Sequence, residues 1–193
     1  MFIPREDNES FDAFCARNLL KNLTFSERRF IIYIMDDYTL YILPKKNDIK
    51  SMRGRTMLKR REAREILVGL LFESEFRTDE NYVEIYAISA EERMIPEDEY
   101  IKKAYYAIFE HKDEIDACIG EHAHGWKTSR MTKLSRSILR LAVYEMLFEE
   151  EIPYSVSINE AVELTKKFDD EKARPFVNGI LNSVKNALEA DAK

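Results

Sequence analysis

Breakers of regular structure are scarce in this sequence: 193 residues include 5 glycines and 5 prolines. With Ala, Leu, Glu and Lys abundant, that scarcity points to an all-helical protein. Cysteine is nearly absent too. Cys15 and Cys118 lie too far apart in sequence to read as a disulfide framework or a metal-ligand spacing, and a reducing cytoplasm fits such usage best. No apolar run reaches the roughly eighteen residues that a membrane-spanning helix needs. The opening MFIPREDNESF lacks the basic-then-apolar pattern of a secretion signal, so a soluble cytoplasmic protein with no membrane partner is expected.

Catalytic patterns are missing as well. There is no nucleophile with a nearby base and no glycine-rich phosphate loop. Asp169 and Asp170 sit in a polar turn, where carboxylates are ordinarily solvated. His122 and His124 form an H-x-H pair, but no Cys or carboxylate pattern completes a metal site around them. Neither catalysis nor a cofactor is expected.

What is present is an uneven distribution of charge. The formal net charge is −6, yet Arg53 to Arg64 holds six Lys/Arg against the single Glu62. Residues 57–193 as a whole carry 20 Lys/Arg against 28 Asp/Glu. An acidic body repels nucleic acid, so any polyanion binding belongs at the basic end.

That end opens the stretch MLKRREAREILVGLLFE, Met57 to Glu73. Lys59, Arg60, Arg61 and Arg64 lead directly into Ile66, Leu67, Leu70 and Leu71, with apolar residues at helical spacing. The pattern predicts one helix that buries its later turns and leaves a basic first turn in solvent. Helix N-termini carry partial positive charge, so basic residues there cost stability unless an anion lies across them. A phosphate backbone would satisfy both the side chains and the free N–H groups. The alternative is a solvated charged end on a soluble helix.

Residues 1–56 differ in character. Phe30 to Leu43, FIIYIMDDYTLYIL, resembles a hairpin, and Lys45 to Arg55 resembles a linker. These residues are expected to form an N-terminal extension, hairpin-like or disordered, or to reflect a misassigned start. The second domain is then 57–193.

Within that domain, Tyr82 to Glu92 has helical spacing. Pro96 opens a longer helix with an acidic start at Glu97, Asp98 and Glu99. Its apolar stripe runs from Ile101 through Ile108 to Ile115 and Ile119, with an irregularity near His111. A further helix spans about Thr132 to Glu149, its inward face formed by Leu134, Ile138, Leu141, Ala142 and Met146. Ser157 and Glu160 have capping-box spacing for the next helix. The last carries Val177, Ile180, Leu181, Val184 and Leu188. Six or so helices on short loops make a compact bundle.

Five patterns in register carry a resemblance: RREAR, W-x-x-x-R at Trp126 and Arg130, SILRLAVYEM from Ser137, IPYSVSINEAVELTKKF from Ile152 and PFVNGILN from Pro175. Together they closely resemble the NusB transcription antitermination family over Met57 to about Leu188. The resemblance implies two three-helix bundles. It implies binding of boxA-type single-stranded RNA jointly with NusE, a small-subunit ribosomal protein, in an RNA polymerase antitermination complex that promotes ribosomal RNA transcription.

Carried over by motif, Lys59, Arg60, Arg61 and Arg64 face RNA, and Phe72 and Phe176 stand beside it. Phe72, Ser135 and Arg136 lie on the surface expected to meet NusE. For Phe176 the other reading is core packing against Ile180, and for Gly179 a close approach between helices. Gly69 and Ser135 depart from the residues common in the family, Gln and an acidic side chain. Arg140 and Glu145 read as residues that hold the bundle together. With about four phosphates neutralised, log affinity falls with log salt at a slope near −3. The rival function is a helical protein-interaction adaptor without specific RNA binding. Self-association into a homodimer is left open.

Overall fold

The computed structural model describes residues 58–77, 80–92, 95–123, 131–169 and 171–191, all within one unit of the chain, Leu43–Lys193. The expected hairpin and linker lie outside the described residues, as do His124, Trp126 and Arg130. Among the described residues there are seven helices and no strand. They are α1 (Arg60–Ser74), α2 (Tyr82–Glu92), α3 (Glu99–Glu110), α4 (Lys112–His122), α5 (Lys133–Phe148), α6 (Tyr154–Phe168) and α7 (Ala173–Asp191).

The helix count exceeds the expected six because the irregularity at His111 is a full break. His111 caps α3 and leads into α4, with φ −102° and ψ 20°. Helices α1, α2 and α3 contact one another as one group, and α5, α6 and α7 form a second. Helix α4 packs on α5 and α7.

The hub is α5, which touches α1, α3, α4, α6 and α7. The expected single inward face understates its burial. Leu139, Val143 and Tyr144 are fully buried alongside Leu134 and Ile138, and the buried polar residues Arg140 and Glu145 of the same helix are paired. Each such Leu or Ile contributes about 1.5–3 kcal/mol through removal from water.

Polar clamps orient α1 against α5. Arg64, near the start of α1, meets Glu145 near the end of α5. Glu75, just past the end of α1, meets Arg136 and Arg140 in the first half of α5. The two helices therefore run antiparallel. Arg140 also grips Asp116 of α4 through two bonds of 2.7 Å, so Arg140 and Glu145 do hold the bundle together.

Two helix starts differ from expectation. Asp98 is the N-cap of α3, its carboxylate accepting from the Ile101 N–H at 3.1 Å, so the helix begins three residues after Pro96. Helix α6 begins at Tyr154 behind Pro153. Ser157 therefore caps nothing. It is buried, and its hydroxyl donates to Glu145 at 2.8 Å.

Candidate nucleic-acid interface

Three of the four basic residues expected at this turn, Lys59, Arg60 and Arg61, stand outside the bundle. Lys59 precedes α1 in extended backbone, φ −69° and ψ 141°, and its N–H donates to the Glu62 carboxylate at 3.1 Å. That one acidic side chain satisfies an orphan donor and offsets part of the unfavourable charge at the helix start. Lys59, Arg60 and Arg61 are all exposed. Arg61 lies 3.4 Å from Glu163 of α6, with the two side chains 52% and 43% exposed. A pair so solvated is worth little and exchanges readily for another anion. The Arg60 guanidinium rests 4.1 Å from the centroid of the Tyr100 ring.

Arg64 does not belong to this surface. It is 4% exposed. Its Nε donates to Glu145 at 2.8 Å and its Nη2 at 3.3 Å, while its Nη1 lies 3.7 Å from Glu160. Burial works against the guanidinium charge, but the hydrogen bond and the charge of Glu145 outweigh it and lift the Arg64 pKa above its ordinary value. Glu145 also accepts from the Tyr100 and Ser157 hydroxyls. Arg60 and Arg64 are four residues apart and share a helix face. One turn further along, that face is already inside the bundle, so the sequence expectation for Arg64 is corrected.

The aromatic expectations are corrected too. Phe72 is 0% exposed and meets Phe76 edge-on, centroids 5.0 Å apart. It also stands twelve residues beyond Arg60, about 18 Å along the axis. Phe176 is 8% exposed, and Val177, Ile180 and Leu181 of the same helix are buried with it, so core packing is the arrangement observed. Neither ring is open for a base to stack on. Ser135 is 1% exposed and donates to Asp169 at the end of α6, which removes it from any open partner surface. Arg136 keeps a side chain 37% exposed while bonding Glu75 at 3.0 Å. The close-approach reading of Gly179 also fails, since a Cβ there would meet nothing within 4 Å.

Sequence reasoning missed several neighbours. Tyr100, beneath Arg60, is separated from it by forty residues, and only the fold brings the two together. Phe76, half-buried where Phe72 is not, carries Lys133 Nζ 3.6 Å from its ring centroid. The KK pair ending α6 lies by the basic end: Lys167 reaches Glu65 at 2.7 Å and Lys166 lies 3.9 Å from Glu163, the partner of Arg61. Its signal was the KK within the matched α6 pattern.

Among the described residues no cluster of His, Cys, Asp and Glu is suited to a metal ion, and no helix is long and apolar enough to cross a membrane. What the surface offers is three exposed cations at a helix start, an arrangement suited to a polyanion.

Comparison with known proteins gives the chain's relatives. The family model described as NusB family matches residues 61–186. Transcription antitermination protein NusB of Bacillus pumilus is 41% identical over 68% of this chain and 98% of its own length. The protein of the same name from Agathobacter rectalis is 45% identical over 64% of this chain and 97% of its own. Among solved structures, T. maritima NusB superposes with a TM-score of 0.59 at 35% identity, covering 67% of this chain and 92% of that one. A chain in the crystal structure of antitermination factors NusB and NusE in complex with dsRNA gives 0.59 at 33% identity, covering 66% of this chain and 96% of that one. With its all-helical bundle, its basic helix start and these relatives, the chain belongs to the NusB family.

Proposed function

We propose that this chain is a transcription antitermination factor that binds boxA-type single-stranded RNA together with NusE, within an RNA polymerase complex, and so promotes ribosomal RNA transcription. The observation that carries the reading is the exposed Lys59, Arg60 and Arg61 at the start of α1 on an otherwise acidic chain. The relative crystallised with NusE and dsRNA supports NusE and RNA as the partners, and the single-stranded form of the RNA is this proposal's own.

The mechanism is electrostatic capture followed by sharing of the strand. Phosphates exchange for the weak Glu163 contact of Arg61 and lie at the positive end of α1. Three cations give modest affinity alone. A second protein holding the same strand raises the effective concentration of each contact, which is why a pair of proteins outperforms either. Arg136, half-exposed beside Glu75, is the remaining candidate for the NusE-facing surface. The functional unit is residues 57–193, acting in the cytoplasm without catalysis.

The test is titration of labelled boxA-type RNA with the chain, with and without purified NusE, against an unrelated strand of equal length and a duplex of the boxA sequence. Cooperative, salt-sensitive binding that prefers the boxA strand is expected. Equal affinity for the unrelated strand reduces the reading to generic polyanion attraction. NusE binding with no RNA affinity at all favours the adaptor instead. Light scattering of the free chain decides between monomer and homodimer.

A further inference from the structure

We infer that Tyr100 is a positioning residue of the RNA surface: its ring, anchored from below by Glu145, is the seat that holds the Arg60 guanidinium in place for a phosphate or base. The inference rests on the RNA-binding reading and adds a residue from a different helix to it.

Three observations converge on this seat. The Tyr100 side chain is buried, the whole residue being 8% exposed, although Tyr100 stands in the first turn of α3. What lies over its ring is Arg60, 4.1 Å from the centroid. The ring's far end is fixed, because its hydroxyl donates to Glu145, and Glu145 is in turn held by Arg64 and Ser157. The chain Ser157–Glu145–Tyr100–Arg60 therefore runs from the centre of the bundle to its basic edge.

An arginine on a bare helix start samples many rotamers and loses that freedom when it grips a ligand. An aromatic face attracts the planar guanidinium and keeps it in one orientation. The outer side of Arg60 stays exposed, and a guanidinium plane is a surface on which RNA bases stack. With Phe72 and Phe176 buried, the Tyr100–Arg60 pair is the aromatic-backed platform that lies at the basic turn. It also gives the buried Arg64 a role: Arg64 does not touch the ligand but holds the carboxylate that anchors the seat.

The experiment measures labelled boxA-type RNA binding, in the presence of NusE, for the wild type, Tyr100→Leu, Tyr100→Phe, Arg60→Ala and the Arg60→Ala/Tyr100→Leu double variant. Tyr100→Leu weakens binding about two- to fivefold, the size of one partly exposed cation–π contact. Tyr100→Phe, which keeps the ring but loses the hydroxyl's anchor on Glu145, falls between wild type and Tyr100→Leu. Adding Tyr100→Leu to Arg60→Ala produces no further loss, since the ring acts only through the guanidinium.

A second readout needs neither RNA nor a stable variant. In the free wild-type chain the Arg60 side-chain protons show an upfield ring-current shift in the NMR spectrum. Fully additive losses, an unchanged Tyr100→Leu, or no ring-current shift overturns the seat while leaving RNA binding standing. A wild-type chain with no RNA affinity overturns the RNA reading, and the positioning role with it.

Discussion

Replacing Arg64 by methionine removes the cation between the buried Glu145 carboxylate and the half-buried Glu160. In the wild type the Arg64 and Glu145 side chains are 5% and 1% exposed. Glu160 Oε2 is buried with no hydrogen-bond partner and has Arg64 as its ion-pair neighbour at 3.7 Å. Desolvation makes such a pair weak evidence of net stabilisation, but removing one member strands the other. That loss costs about 3–5 kcal/mol, a large fraction of an ordinary domain's stability of about 5–15 kcal/mol. At roughly 2–4 °C per kcal/mol for a chain of this size, the melting temperature drops by about 6–20 °C.

Neutralising the stranded partner should return much of the loss. The Arg64→Met/Glu145→Gln double variant keeps an acceptor for the Tyr100 and Ser157 hydroxyls and recovers roughly 1–3 kcal/mol relative to additivity. Urea denaturation followed by circular dichroism, run on both single variants and the double, reads the cycle directly. If Arg64→Met shifts stability by less than about 0.5 kcal/mol, the ordinary range for a surface substitution, the interior placement is wrong. Arg64 then rejoins the RNA-facing set.

Three smaller predictions follow from the same structure. Gly179→Ala raises stability by about 0.5–1 kcal/mol, because the position is helical, exposed and open where a Cβ would stand; a lower melting temperature would contradict this. Ser157→Ala costs about 1.5–3 kcal/mol through its bond to a charged acceptor, and far less in a Glu145→Gln background, whereas a helix cap would cost the same in both. Burial, reinforced by Glu145, raises the Tyr100 pKa above the usual tyrosine value. Above a pH of about 10, where an unfolded tyrosine ionises, the unfolded chain sheds a proton that the folded chain keeps. Stability therefore falls as pH climbs past that point, and the fall is shallower in Tyr100→Phe; parallel profiles would refute it.

Sequence periodicity placed most of the helices, since the apolar spacing of Tyr82 to Glu92 marks α2 and the scarcity of breakers fits a bundle, but it ran α3 and α4 together across the break at His111. It was weaker at their starts. Pro96 and Asp98 both suit the head of α3, and the choice of Asp98 as cap is made by backbone geometry. Burial of α5 on all sides was hidden because a periodic reading looks for one inward face. The site was half legible. Arg60 and Arg64 are chemically the same and share a helix face; what separates them is Glu145, which pairs with Arg64 across 81 residues. Phe72 and Phe176 matched a family position, but whether an aromatic stacks on a ligand or fills a core depends on neighbours that no local pattern records. Tyr100 had no local signal at all.

The most direct test of the central claim is the salt dependence of RNA binding by the chain alone, for wild type and an Arg60→Glu/Arg61→Glu variant. With Arg64 withdrawn into the interior, about three phosphates are neutralised, and log affinity falls against log salt with a slope near −2. The charge-reversed chain keeps its circular dichroism spectrum and loses the binding. A reversed chain that binds RNA as tightly as wild type, with the same slope, would contradict the account.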